Sequence, residues 1–128
     1  MKAYELTNKK GFEVIHNSTP WRVAVHASQP EVNGVPSFHQ WGRHMESEEG
    51  FVLLSGQGWL VTSTDGRDYH IQELKNEELT LVEQAERHAI LLAENSSTLI
   101  VENLDMSNSV NEEMDPAMKE EILKKIGF

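Results

Sequence analysis

From Glu13 to about Asn103 apolar and polar residues alternate in short runs broken by turn residues. Between Trp21 and His26, Trp21, Val23 and Val25 share one face while Arg22, Ala24 and His26 share the other. That period of two is the signature of a strand. Phe51–Leu54 and Trp59–Ser63 flank a Ser-Gly-Gln-Gly turn, and Trp59–Ser63 and Asp68–Leu74 flank a turn holding Asp65-Gly66, a strong hairpin signal. The runs LTLVEQ, HAILLAEN and STLIVENL continue the pattern. SFHQWGRH is a further strand, and Gly42 inside it predicts a bulge or a close backbone approach. QPEVNGVPS (Gln29 to Ser37) is expected to be a loop, because it carries Asn-Gly and two prolines. Eight or more short strands with no helical period between them predict an all-β barrel or sandwich.

The alternation stops after Asn103. Asp115 is a good N-cap and Pro116 fits the first helical position. Met118, Ile122 and Ile126 recur every four residues, Lys124 and Lys125 fall in the last turn, and Gly127 follows as a stop. One amphipathic helix over about 116–126 is expected, packed on the outside of the barrel or across a subunit contact. The 128 residues are expected to form a single domain, 1–128, with its barrel core over about 13–103.

Charge narrows the partners. Eleven Lys+Arg against 21 Asp+Glu give a net charge of −10, which disfavours phosphate backbones and anionic lipid surfaces. No nucleic-acid and no membrane partner is expected, and no apolar run suggests a span or a signal peptide. Cys is absent, so disulfides, thiolate zinc sites and Cys nucleophiles are excluded, in keeping with a cytoplasmic protein. Phosphate-binding, dinucleotide-binding, serine-hydrolase and zinc-protease motifs are missing.

The candidate chemistry gathers between His39 and Gly56. His44 ends one strand and Glu49 begins the next across a tight corner, so both side chains can turn to one interior. His88 opens another strand far along the chain. Two imidazoles and a carboxylate suit one divalent transition metal (Zn, Fe, Ni, Mn or Co) and leave positions open for a ligand. Glu49 is also the candidate catalytic proton carrier. Gln40 has the parity of His44 and points to the same side. His39 joins it if a bulge at Gly42 resets the phase, and Trp41 offers a stacking wall. Gln40, Trp41 and His39 are therefore the candidate ligand-binding residues, with His26 as a further histidine for the cavity. The plainer reading makes His44 and His88 hydrogen-bonded barrel residues, the tryptophans packing residues, and His16 and His70 surface residues. Arg43 and Arg87, each preceding a candidate histidine, are either outward-facing or an anion clamp at the barrel mouth.

These residues resemble the cupin superfamily. Its first motif is G-x5-H-x-H-x(3,4)-E-x6-G, and His44-x4-Glu49-x6-Gly56 matches the second half, spacing included. Within the acidic run Glu46, Glu48 and Glu49, only Glu49 has the motif spacing. The second motif, P-x-G-x2-H-x3-N, falls on EQAERHAILLAEN with His88 as its His. The chain departs from the family at Gly42, where the first His of H-x-H would stand, and at Glu83, Ala85 and Leu92 in the second motif. The resemblance implies a double-stranded β-helix (jelly-roll) barrel with its site inside, and a homodimer. It carries His44, Glu49 and His88 over as ligands, one imidazole short of the usual set.

Cupins host isomerases, epimerases, dioxygenases, decarboxylases and pure binding modules, so the fold does not choose among them. The expectation is a protein that binds a small polar molecule, a sugar or a carboxylic acid, inside the barrel. A divalent metal would act there as a Lewis acid in isomerase- or epimerase-like chemistry. Two alternatives stand beside it: a metal-free ligand-binding or sensing module without catalysis, and an Fe-dependent, dioxygenase-like cupin.

Overall fold

In the computed structural model, which describes residues 1–128, ten strands form two five-stranded sheets with antiparallel pairing. The strands are β1 (Gly11–Asn17), β2 (Trp21–Ala27), β3 (Gln40–His44), β4 (Glu49–Ser55) and β5 (Gly58–Ser63). They continue with β6 (His70–Glu73), β7 (Leu79–Val82), β8 (Arg87–Leu92), β9 (Ser97–Asn103) and β10 (Ser109–Glu113). The first sheet has the order β1-β2-β9-β4-β7 and the second β10-β3-β8-β5-β6. The chain crosses between sheets repeatedly, as a jelly roll does.

Apolar residues from both inner faces fill the space between the sheets: Ala24, Phe51, Leu53, Leu60, Leu74, Val82 and Ile100. A second cluster lies on the outer face of the second sheet. There Trp41, Val61 and Leu91 meet Met114, Met118 and Ile122 beneath helix α2 (Pro116–Ile126). Asp115 caps α2 through Ala117 N–H, and Gly127 ends it in a left-handed conformation at φ 104°. The helix therefore packs outside the barrel, over the predicted span.

Three local expectations are corrected. The segment read as a loop contains a one-turn helix α1 (Pro30–Asn33) and a 3-10 turn (Val35–Ser37). Proline near each start and the buried Asn33 side chain hold them. Gly42 causes no bulge: β3 and β10 pair without a break from Gln40↔Glu113 to His44↔Ser109. A further strand, β10, follows Asn103, although its residues SVNEE are too polar to show an apolar face.

The face of β2 that turns inward is the one with Arg22, Ala24 and His26. Ala24 joins the core and the two polar residues line a cavity, while Trp21 stays 43% exposed on the outside. Gly56, the last residue of the first motif, has φ 78°, and a Cβ there would lie 2.2 Å from Ser96 Oγ. Only glycine fits that turn.

Candidate metal centre

His44 closes β3 in the second sheet and Glu49 opens β4 in the first, so the corner 45–48 carries the chain from one sheet to the other. Their side chains meet across the interior, with His44 Nε2 2.8 Å from Glu49 Oε2. β8 lies beside β3, pairing His88 with Gly42, and brings His88 Nε2 to 2.9 Å from the same oxygen. The three ligand atoms all fall within 4.8 Å of one another.

Each imidazole is fixed from behind. Ser109 Oγ lies 2.7 Å from His44 Nδ1, and the Glu86 carbonyl lies 3.2 Å from His88 Nδ1. The turn before β8 is itself pinned to β3: Ala85 N–H donates to the His44 carbonyl, and Gln84 donates to the Met45 carbonyl. Ala85 stands where the family motif has glycine and adopts φ 64°, a left-handed conformation.

Electrostatics follow from this geometry. Burial pushes the Glu49 carboxyl up, but hydrogen bonds from His44 and His88 and the His88 charge outweigh it and hold the group well below the usual carboxylate range. Burial pulls His88 down, and Glu49 more than reverses this, leaving His88 raised. Without a metal, His88 faces an acceptor at both nitrogens and carries both protons.

Two residues missing from the sequence reading complete the site. Glu102, 5% exposed, lies beside Glu49, and Arg22 holds it with Nε and Nη2 both on Oε2, the Nε contact at 2.6 Å. Strand register places them: Arg22 opposes Glu102 across β2–β9, and Gly50 opposes Val101 across β9–β4. Burial and the adjacent Glu49 raise the Glu102 pKa to about 7, against the pull of Arg22. The inward parity of Arg22 with Ala24 was the only signal in the sequence. The β2–β9 pairing that explains it joins residues 80 apart.

The group opens on a cavity of about 650 Å³. Phe12, Val32, Phe38, Phe51, Ile90 and Met106 give it an apolar wall; Arg22, His26, Gln40, Glu102 and Asn111 are polar lining residues. Gln40 is thus placed at the cavity as its parity predicts. Trp41 is not: alternation along β3 turns Gln40, Gly42 and His44 inward and Trp41 outward, where it is 1% exposed beneath α2. His39 precedes β3 outside the cavity, about half exposed and 3.7 Å from Glu113. Without a bulge nothing resets its phase. Arg43 and Arg87 form no anion clamp, since both grip Glu112. His16 is half-buried against Tyr4 and Trp21, and His70 is exposed.

The donor set fits a metal. With bonds of about 2.1 Å, neighbouring ligand atoms lie roughly 3.0–3.4 Å apart, and the spacings of 2.8 and 2.9 Å within a group spanning no more than 4.8 Å reach that range by small side-chain shifts. Both histidines present Nε2 while their Nδ1 atoms are held by other groups, the arrangement that fixes metal-binding imidazoles. A Cβ at Gly42 would sit in ordinary van der Waals contact 3.8 Å from the His88 ring, so the backbone tolerates a side chain beside the ligands.

The sequence matches no protein-family model and no curated protein. Solved structures do match. An RmlC-like cupin protein from Desulfovibrio desulfuricans is similar at a TM-score of 0.59 and 17% identity, over 80% of this chain and 96% of that one. A cupin-2 domain protein from Shewanella frigidimarina gives 0.57 and 18%, over 77% and 85%. Hydroxypropylphosphonic acid epoxidase from S. wedmorenis gives 0.57 and 15% over 73% of this chain, which spans about half of the epoxidase (49%). At these identities the likeness concerns the fold. Two antiparallel sheets closing on a His-His-Glu group, with the likeness to these solved structures, give this chain the cupin fold.

Proposed function

We propose that the protein binds one divalent transition metal through His44, Glu49 and His88 and holds a small polar molecule, a sugar or a carboxylic acid, in the adjoining cavity for isomerase- or epimerase-like proton transfer. The observation that carries this reading is the convergence of three preoriented ligand atoms on one point at the cavity floor. Iron(II) and cobalt(II) forms of the epoxidase of similar fold support a metal of this kind. When bound, the metal supplies a Lewis acid that polarises a ligand oxygen.

The chain's own residues supply the rest. Glu49, held ionised, is a better ligand than proton carrier. Glu102 suits the proton role instead: it lines the cavity beside Glu49, and burial raises its carboxyl above the usual range so that it can hold a proton. Phe51 and Ile90 exclude water from that side and strengthen every polar contact within.

A second reading has its own support. His44, Glu49 and His88 satisfy one another by hydrogen bonds with no ion, as a metal-free binding module would require. Elemental analysis of tag-free protein separates the two. About one equivalent of Fe, Ni, Mn, Co or Zn, lost in His88→Ala, supports the metal site. No metal in purified protein, and none taken up on addition, sinks it. The protein is read as a cytoplasmic homodimer, and a solution mass of twice 14.5 kDa checks the pairing. No helix is long and apolar enough to cross a membrane.

A further inference from the structure

His26 is a cavity histidine that the metal site does not use. Its protonation pattern is fixed by the helical turn beside it. Asn33, 1% exposed, accepts from Gln29 N–H through Oδ1 at 2.9 Å, so its Nδ2 is the atom facing the other way. That Nδ2 donates to the Ala27 carbonyl at 2.8 Å and lies 3.3 Å from His26 Nδ1. His26 Nδ1 must therefore accept, and the neutral ring carries its proton on Nε2. Burial keeps the ring neutral, with a pKa lowered to about 4 despite the nearby Glu49. Phe12 packs on the ring at 5.0 Å between centroids and holds its orientation. His26 Nε2–H has no protein acceptor.

Most other polar groups of the cavity are already committed. Arg22 and Glu102 hold each other, His44 and His88 hold Glu49, and Ser109 holds His44. Besides His26, only the side-chain amides of Gln40 and Asn111 line the cavity without a protein partner. A sugar with four or five hydroxyls would leave several of them unpaired against the apolar wall, at a cost of about 1 kcal/mol or more each. A carboxylate has two acceptor oxygens that three such groups and a metal can serve. Arg22 and a divalent cation also outweigh the ionised Glu49 in charge, which favours an anion over a neutral sugar.

We propose that His26 is the ligand-recognition residue of this cavity, donating Nε2–H to a small monocarboxylic acid with an apolar side chain, such as a branched 2-oxo acid. This narrows the ligand class proposed above and rests on that reading for the cavity being the binding site. It does not need the metal to hold His26 in place.

The test is calorimetric titration of 4-methyl-2-oxopentanoate, with D-mannose as comparator, into Co(II)-loaded and chelator-treated protein. Wild type, His26→Gln and His26→Phe are compared. The oxo acid should bind and mannose should bind more weakly. His26→Phe should weaken the oxo acid about tenfold, the worth of one buried hydrogen bond. His26→Gln, which keeps an N–H donor, should recover most of the loss, and Co(II) stoichiometry should stay the same in both variants. Long-range 1H–15N spectra of the wild type should show His26 protonated at Nε2 and bare at Nδ1, independently of any variant's folding.

Tighter binding of mannose, oxo-acid affinity unchanged in His26→Phe, no binding of the oxo acid in either form, or an Nδ1–H tautomer would each overturn the inference. Co(II) uptake without oxo-acid binding defeats it and leaves the metal centre standing. Failure to take up Co(II), with His26-dependent binding to the chelator-treated protein, does the reverse.

Discussion

Glu49 and Glu102 lie side by side inside the barrel, and a proton on one of the two carboxyls relieves the repulsion between their charges. The geometry assigns it to Glu102, because Glu49 receives two imidazole donors and is held ionised. Glu102 thus has a folded pKa near 7 against an ordinary 4.5. Between these values the folded protein binds more protons than the unfolded chain, so this group's contribution to stability falls as pH rises through the window. His26 has the opposite sign: lowered from 6.5 to about 4, it favours the fold more as pH rises across that range. The difference between wild type and Glu102→Gln isolates the first effect. Urea unfolding of chelator-treated protein at about pH 5 and about pH 8 should show Glu102→Gln losing its relative disadvantage at the higher pH. A constant difference between the two proteins would contradict the assignment.

Ser109 is not one of the three metal-ligand residues but holds His44 Nδ1 at 2.7 Å. Removing such a support costs about 10- to 100-fold in metal affinity. Ser109→Ala should fall in that range when Zn(II) affinity is measured by competition with a chromophoric chelator. His44→Ala, which removes the ligand itself, should lose more.

Gly42 admits a side chain beside the ligands, with a Cβ 3.8 Å from the His88 ring. Gly42→His should raise metal affinity about tenfold or more in the same competition assay, since one more ligand joins the set. It should also reduce binding of 4-methyl-2-oxopentanoate, because the new ring takes up cavity space. Unchanged metal affinity would mean the added ring does not reach the metal.

Ala85 holds a left-handed conformation at φ 64° while its N–H and carbonyl are bonded to His44 and Arg43. A side chain there costs about 1–2 kcal/mol. Part of this is offset in glycine by its greater freedom when unfolded. Ala85→Gly should therefore stabilise the protein by about 0.5–1 kcal/mol in urea denaturation, with metal content unaltered.

Ile122 is fully buried between α2 and the second sheet. Ile122→Ala should destabilise by about 2–4 kcal/mol in the same denaturation assay. The cavity lies on the other side of that sheet, so metal stoichiometry in the folded fraction should not change.

What was legible in the sequence was local. Period-two alternation marked the strands from β2 to β9, and Asp115, Pro116 and Gly127 bounded α2 through capping chemistry that acts within one turn. The spacing from His44 to Glu49 marked a corner because five residues leave the chain few other paths. Parity along β3 likewise placed Gln40 on the side of His44. Alternation fixes which residues share a face but not which face turns inward. Hence the inward turn of Arg22, Ala24 and His26, and the outward turn of Trp41 beneath α2, were decided by how the sheets and helix pack. β10 lacked an apolar face, and its pairing with β3 came from a partner more than 60 residues away in sequence. Glu102 and the tautomer of His26 depend on the β2–β9–β4 register and on the Asn33 turn. The sequence by itself determined the strands, the helix and the His44–Glu49 corner, because those rest on short-range periodicity and turn chemistry. Only the tertiary structure decided the proton arrangement and the ligand face of the cavity, because hydrogen bonds between distant strands set both.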